Sequence, residues 1–182
     1  MLSALPLLGY TVIFSKPNMK RHWKRKYAKG FQGHEPDSAL VEAELKKALV
    51  PGSVVEIGAG AGHFTRLMES WGYEVKATDL VVGEQLDITR ERLGDFDNVV
   101  AMGVMHHILD HGKHQAALRN IKAMAQKKIL LAVKLPAERY PRKSGHAYRY
   151  SVLDYTDILG GPVTVTDCGY LAFLEWNVES GQ

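Results

Sequence analysis

The stretch Val54-Val55-Glu56-Ile57-Gly58-Ala59-Gly60-Ala61-Gly62-His63-Phe64-Thr65-Arg66-Leu67-Met68 constrains the fold more than any other part of the chain. An apolar strand runs into glycines at every second position. These remove the Cβ atoms that would hold a ligand off the backbone, and they permit the positive φ angles of a tight strand-to-helix turn. Phe64, Leu67, Met68 and Trp71 then recur at i, i+3, i+4 and i+7, which predicts a helix with one buried face, closed by Gly72. The N-terminus of that helix points free N–H groups at the turn. A nucleotide-like ligand can therefore lie against bare main chain.

A glycine turn by itself is often only a turn, so the next strand matters. Tyr73 to Thr78 alternates as a strand does and delivers Asp79 at its end, 17 residues after Gly62. A dinucleotide-type fold needs a carboxylate near that point to accept hydrogen bonds from ribose hydroxyls.

Glu56-Ile57-Gly58-Ala59-Gly60-Ala61-Gly62, then Asp79, then the run from Asp97 through Met105-His106-His107-Ile108 together resemble the class I S-adenosylmethionine-dependent methyltransferases, over roughly residues 35 to 178. The resemblance implies an α/β, Rossmann-like, doubly wound and mostly parallel sheet, with helices on both faces and a C-terminal antiparallel hairpin. It also implies S-adenosylmethionine as cofactor, held by Glu56, Gly58, Gly60, Gly62 and Asp79. Asp87 and Ile88 belong beside the adenine in that pattern, and Met102 completes the expected cofactor contacts. A dehydrogenase is the lesser reading, because the glycine spacing differs from Gly-x-Gly-x-x-Gly.

At 182 residues the chain suits one domain able to bury a full α/β core, and its 46% hydrophobic and 24% charged residues are ordinary for a globular protein. Cys168 is the only cysteine, which excludes an intrachain disulfide and makes a reducing cytoplasm the simplest setting. The apolar start, Met1 to Phe14, is interrupted by Pro6 and Gly9. It has no basic residue before it and falls short of the about 20 apolar residues of a spanning helix, so a strand or hairpin is expected there rather than a membrane span.

Charge is concentrated next. Lys16, Lys20, Arg21, Lys24, Arg25, Lys26 and Lys29 fall within 14 residues without an acid; setting these seven aside leaves 16 basic residues against 20 acids, a balance of −4 in a chain of net +3. Met19, Trp23 and Tyr27 recur every four residues, so this segment reads as a basic helix with one aromatic stripe. Residues 1–35 are accordingly set apart as an apolar segment and a basic helix, a lid over the cofactor or a docking surface for an anionic substrate or RNA, and 36–182 as the methyltransferase domain. A solvated lysine-rich face is the plain alternative.

Pro36-Asp37-Ser38 supplies helix-start chemistry, and Val41, Leu45, Ala48 and Leu49 keep helical spacing until Pro51-Gly52, a helix expected to pack beside the first strand. Only Leu80 to Leu86 separate Asp79 from Asp87, whereas a parallel crossover needs a dozen residues or more. The crossover from the second to the third strand is therefore shortened, the third strand is vestigial, and the wall over the adenine is thin. Phe96 to Val104 reads as a strand covered on both faces. A helix face follows at Ala116, Ala117, Leu118, Ile121, Met124 and Ala125, then a buried strand from Ile129 to Val133. Val163 to Asp167 and Leu171 to Val178 read as a hairpin.

Methyl transfer requires alignment of a nucleophile and, for a hydroxyl, removal of its proton. His106 and His107 lie at the carboxyl end of the fourth strand, the edge where open α/β sheets bind ligands, and are the candidate bases. His111 and His114 extend the histidine cluster, but the carboxylates that a hard cation prefers are missing and no metal is expected. Met102-Gly103-Val104-Met105 stands where base-directed amino methyltransferases carry Asn/Asp-Pro-Pro-Tyr/Phe, which argues against methylation of adenine or cytosine nitrogens. Tyr140, His146, Tyr148 and Tyr150, among the cations of residues 136–155, are the candidate substrate contacts for a planar or anionic acceptor. The reading that results is transfer of a methyl group to an oxygen, less readily a nitrogen, of a small or medium-sized molecule. An RNA methyltransferase and a non-catalytic cofactor-binding module are the alternatives.

Overall fold

The computed structural model describes residues 19–30, 38–136, 147–178 and the backbone of 143–144. Met1 to Phe14, Tyr140 and His146 lie outside the described residues. In chain order the elements are α1 (Met19–Ala28), α2 (Ser38–Ala48), β1 (Val54–Ile57), α3 (His63–Ser70), β2 (Val75–Asp79), β3 (Glu84–Gln85) and β4 (Phe96–Met102). After a short 3-10 turn at Met105–His107 come α4 (His111–Met124), β5 (Ala125–Val133), β6 (Lys143–Ser144), β7 (Ala147–Tyr148), α5 (Val152–Leu159), β8 (Val163–Cys168) and β9 (Leu171–Asn177).

Seven strands form one sheet in the order β3-β2-β1-β4-β5-β9-β8. The first five are mutually parallel, β9 runs antiparallel to β5, and β8 closes the hairpin on β9. The doubly wound sheet and its antiparallel end therefore match the expectation. The order reverses between β1 and β4, so the turns leaving those two strands open a crevice at the carboxyl edge, the place where such sheets bind ligands.

The apolar runs alternate in their burial. Val55, Ile57, Val99, Ala101, Ile129 and Leu131 pack with α4 and α5, whereas Val54, Val100, Leu130 and Ala132 pack with α2 and α3. Both faces of the central strands are covered, which is why their sequences are nearly continuous in apolar residues. The helix α2 lies mainly across β9, β5 and β8 rather than beside β1. β5 starts directly at Ala125, the residue after α4, so Ala125 belongs to the strand and not to the helix face.

The shortened crossover is real. Four residues join β2 to the two-residue β3, and residues 80–95 contain no helix. Leu86 and Ile88, each 6% exposed, and Leu93 fill the sheet face where a crossover helix would lie. Asn120 of α4 ties this loop down by donating from Nδ2 to the Ile88 carbonyl at 2.7 Å. One helix was not anticipated: α5 is opened by a capping box in which Ser151 and Asp154 bond each other's backbone N–H. Among the described residues no helix is long and apolar enough to cross a membrane.

Candidate active site

The glycine turn is held in place from both sides. The N–H groups of Gly58 and Ala59 donate to the Thr78 carbonyl at 2.7 and 2.9 Å, fixing the turn to the end of β2. Gly58 has φ +75°, and a Cβ there would stand 2.3 Å from Cγ2 of Val104, which the turn after β4 pushes against it. Gly60 has φ +57°, and a Cβ there would stand 2.8 Å from the hydroxyl of Tyr27. Glycine is thus required at Gly58 by conformation and by space, and at Gly60 by its left-handed backbone. Gly62 caps the start of α3.

Two carboxyl groups meet beside this turn. Glu56 is 2% exposed and accepts a hydrogen bond from Thr65 Oγ1 at 2.5 Å. Burial pushes its pKa up to about 7; the Thr65 bond works against that shift and the charge of Asp79 adds to it. Asp79 accepts at Oδ2 from Gly60 N at 3.2 Å, and at Oδ1 from Val81 N at 2.8 Å and Val82 N at 3.3 Å. Tyr27 of α1 also donates to the Asp79 side chain, and burial together with that neighbouring charge raises the phenol to about 12.

A cavity of about 940 Å³ opens in front of these acids. Its floor is the turn with Glu56, Gly58, Gly60 and Asp79, one wall is Leu86 to Glu91, and another is Met102 to Val104 with His107 to Asp110. The helix α1 forms its cover with Met19, Lys20, Trp23, Lys26 and Tyr27. Asp87 stands in the first wall, accepting from Thr89 Oγ1 at 2.7 Å and from Thr89 N at 3.2 Å, with Arg90 Nε 3.5 Å away. Lys20 Nζ reaches Gln85 Oε1 at 3.2 Å, and the Trp23 ring meets His107 edge-on at 4.8 Å.

The structure therefore gathers Glu56, Gly58, Gly60, Asp79, Asp87, Ile88, Met102 and His107 around one space. It does not bring every candidate there. His106 is fully buried and absent from the cavity walls, because the 3-10 turn directs adjacent side chains to different sides. Tyr150 is 1% exposed, stacks on His114 with ring centres 3.5 Å apart, and donates to the Ile108 carbonyl at 2.7 Å. It is a core residue rather than a substrate contact, and Tyr148 packs on it at 4.6 Å, away from the cavity. His114 is likewise buried, with its pKa lowered to about 3 by desolvation, so it is a neutral core ring and not a loop histidine. Trp23 and Tyr27 line the cavity from the helix expected as a lid or docking surface, although neither was among the candidate site residues. Their four-residue spacing was visible, but what the stripe covers depends on tertiary packing.

A parallel sheet reversing at β1 and β4, with two acids and a glycine turn on a cavity at that edge, defines a nucleoside-cofactor enzyme of the Rossmann-like class. Residues 21–158 match the family model described as a methyltransferase domain, and the chain belongs to that family. Among solved structures it is similar to a 1,6-didemethyltoxoflavin-N1-methyltransferase from Burkholderia thailandensis with bound 1,6-didemethyltoxoflavin and S-adenosylhomocysteine. That match has a TM-score of 0.67, 16% identity, and covers 87% of this chain and 86% of the other. It is also similar to the N-methyltransferase NodS of Bradyrhizobium japonicum WM9 in complex with S-adenosylhomocysteine (TM-score 0.66, 16% identity, 89% and 99% covered). A third is the magnesium protoporphyrin IX methyltransferase of Synechocystis PCC 6803 with bound S-adenosylhomocysteine (TM-score 0.60, 17% identity, 87% and 84% covered). No curated protein sequence matches.

Proposed function

We propose that the chain binds S-adenosylmethionine in this cavity and transfers its methyl group to an oxygen, less readily a nitrogen, of a small molecule. The observation that carries the reading is the convergence of Glu56 and Asp79, from β1 and the end of β2, on the glycine turn at the floor of the cavity, where a Cβ at Gly58 would collide with Val104. The fit is chemical as well as spatial. Asp79 suits the ribose hydroxyls, and Glu56 adds negative charge toward a cofactor bearing a sulfonium and an ammonium. Asp87 and Ile88 in the adjoining wall suit the adenine, with Gly58, Gly60 and Met102 giving close backbone and apolar contact.

When bound, S-adenosylmethionine supplies an electrophilic methyl group. The protein then has to align the acceptor and exclude water, tasks that fall to the walls formed by Met102 to Val104 and His107 to Asp110. His107, facing the same space, accepts the proton of an acceptor hydroxyl; His106 is too deeply buried for that role. The availability of His107 is what favours oxygen over nitrogen. The single buried thiol, Cys168, suits a reducing cytoplasm.

A second reading, methylation of RNA, is supported by the exposed cations Arg21, Lys24 and Arg25 on α1 and Lys29 in the turn that follows it. A steep loss of RNA binding with rising salt is its signature, and small-molecule turnover without RNA affinity excludes it. Mass spectrometry of the purified protein tests the main reading. Copurified S-adenosylmethionine or S-adenosylhomocysteine supports it, whereas a copurified nicotinamide dinucleotide opposes it.

A further inference from the structure

We infer that Tyr27 is the gate of the nucleoside subsite: its phenol holds the Asp79 carboxylate until the cofactor's ribose displaces it, and Trp23 carries the same movement to His107. The inference rests on the cofactor assignment proposed above and goes beyond it in naming what must move.

A carboxylate offers about four lone-pair directions. In Asp79 three go to the backbone N–H groups of Gly60, Val81 and Val82, and a fourth bond comes from Tyr27. The acid is therefore fully occupied, and a ribose diol binds only if a present donor withdraws. The three backbone donors belong to the turns that close β1 and β2, and they cannot leave without unmaking the site. Tyr27 sits on a separate helix in which no residue is buried, so its withdrawal exposes little apolar surface. Its hydroxyl also stands directly over Gly60, in the space left by the missing Cβ. The phenol is the one partner of Asp79 placed to yield.

Trp23 lies one helical turn before Tyr27, with ring centres 6.0 Å apart, and it is Trp23 that closes on His107. A shift of α1 that takes Tyr27 off Asp79 also takes Trp23 off the imidazole proposed to receive the acceptor's proton. Cofactor entry thus opens the acceptor side of the cavity, and binding is ordered with the cofactor first.

The test is a double-mutant cycle read by calorimetric titration with S-adenosylhomocysteine. Tyr27→Phe removes one hydroxyl and leaves the stripe intact. Because it relieves competition for Asp79, it is expected to tighten binding by about three- to tenfold. The same substitution made in an Asp79→Ala background is expected to change nothing. Tryptophan emission should also shift on binding in the wild type, and that shift should be lost in Trp23→Phe. Unchanged or weaker binding by Tyr27→Phe overturns the gate, as does equal tightening with and without Asp79. No binding of S-adenosylhomocysteine by the wild type overturns the cofactor assignment itself.

Discussion

The imidazole rings of His106 and His107 lie 4.3 Å apart, yet His106 is completely enclosed while His107 faces the cavity and touches Trp23. Two chemically identical neighbours are thereby given different tasks. His107→Ala should reduce turnover on the true acceptor by about 100- to 10,000-fold and leave cofactor affinity nearly unchanged. His106→Ala should instead lower stability by about 2 kcal/mol, with normal turnover in the fraction that remains folded. Steady-state kinetics beside thermal melting separates the two, and near wild-type turnover in His107→Ala would remove the base assignment.

Glu56 makes both stability and binding depend on pH. Its pKa in the folded protein is about 7 against an ordinary 4.5, so the native state keeps a proton that the unfolded chain has lost between those values. Stability contributed at this site is therefore present at low pH and declines as pH rises from about 4.5 to about 7, reaching a cost of about 3 kcal/mol above that. Glu56→Gln should raise the melting temperature of the cofactor-free protein at about pH 8 and not at about pH 4.5. The same variant should bind S-adenosylmethionine more weakly and lose the rise in affinity that the wild type shows as pH approaches 7. A melting temperature that responds equally at both pH values would contradict the buried acid.

Gly58 and Val104 form the narrowest contact of the site, since a Cβ at Gly58 would lie 2.3 Å from Cγ2 of Val104. Gly58→Ala should cost about 2–4 kcal/mol, part from the left-handed backbone and part from the collision. Val104→Ala removes the colliding methyl groups, so the double variant should lose at least about 1 kcal/mol less than the two single changes added together. Denaturant titrations of the four proteins measure this coupling, and strict additivity would refute the contact.

Much of this architecture was legible because it depends on local pattern. The glycine turn, the acid ending β2 and the continuous apolar runs of β4 and β5 each follow from neighbours in sequence, and the seven residues between Asp79 and Asp87 excluded a crossover helix by length alone. What was hidden depends on rotation or distance. One residue's rotation in the 3-10 turn decides which histidine meets the cavity. Tyr150 resembles a loop tyrosine until the stacking of His114 and the capping of α5 by Ser151 and Asp154 draw it into the core. The hold of Tyr27 on Asp79 joins residues far apart in sequence, and the four-residue spacing of the stripe carried no sign of its partner.

The proposed site turns on Asp79 as the ribose-binding acid for S-adenosylmethionine. Calorimetric titration of wild type and Asp79→Ala with S-adenosylhomocysteine and with NAD tests it. The expected result is binding of S-adenosylhomocysteine alone, weakened at least about tenfold by Asp79→Ala through loss of a charge-assisted hydrogen bond, typically about 1.5–3 kcal/mol. Tight binding of NAD with no binding of S-adenosylhomocysteine would contradict it.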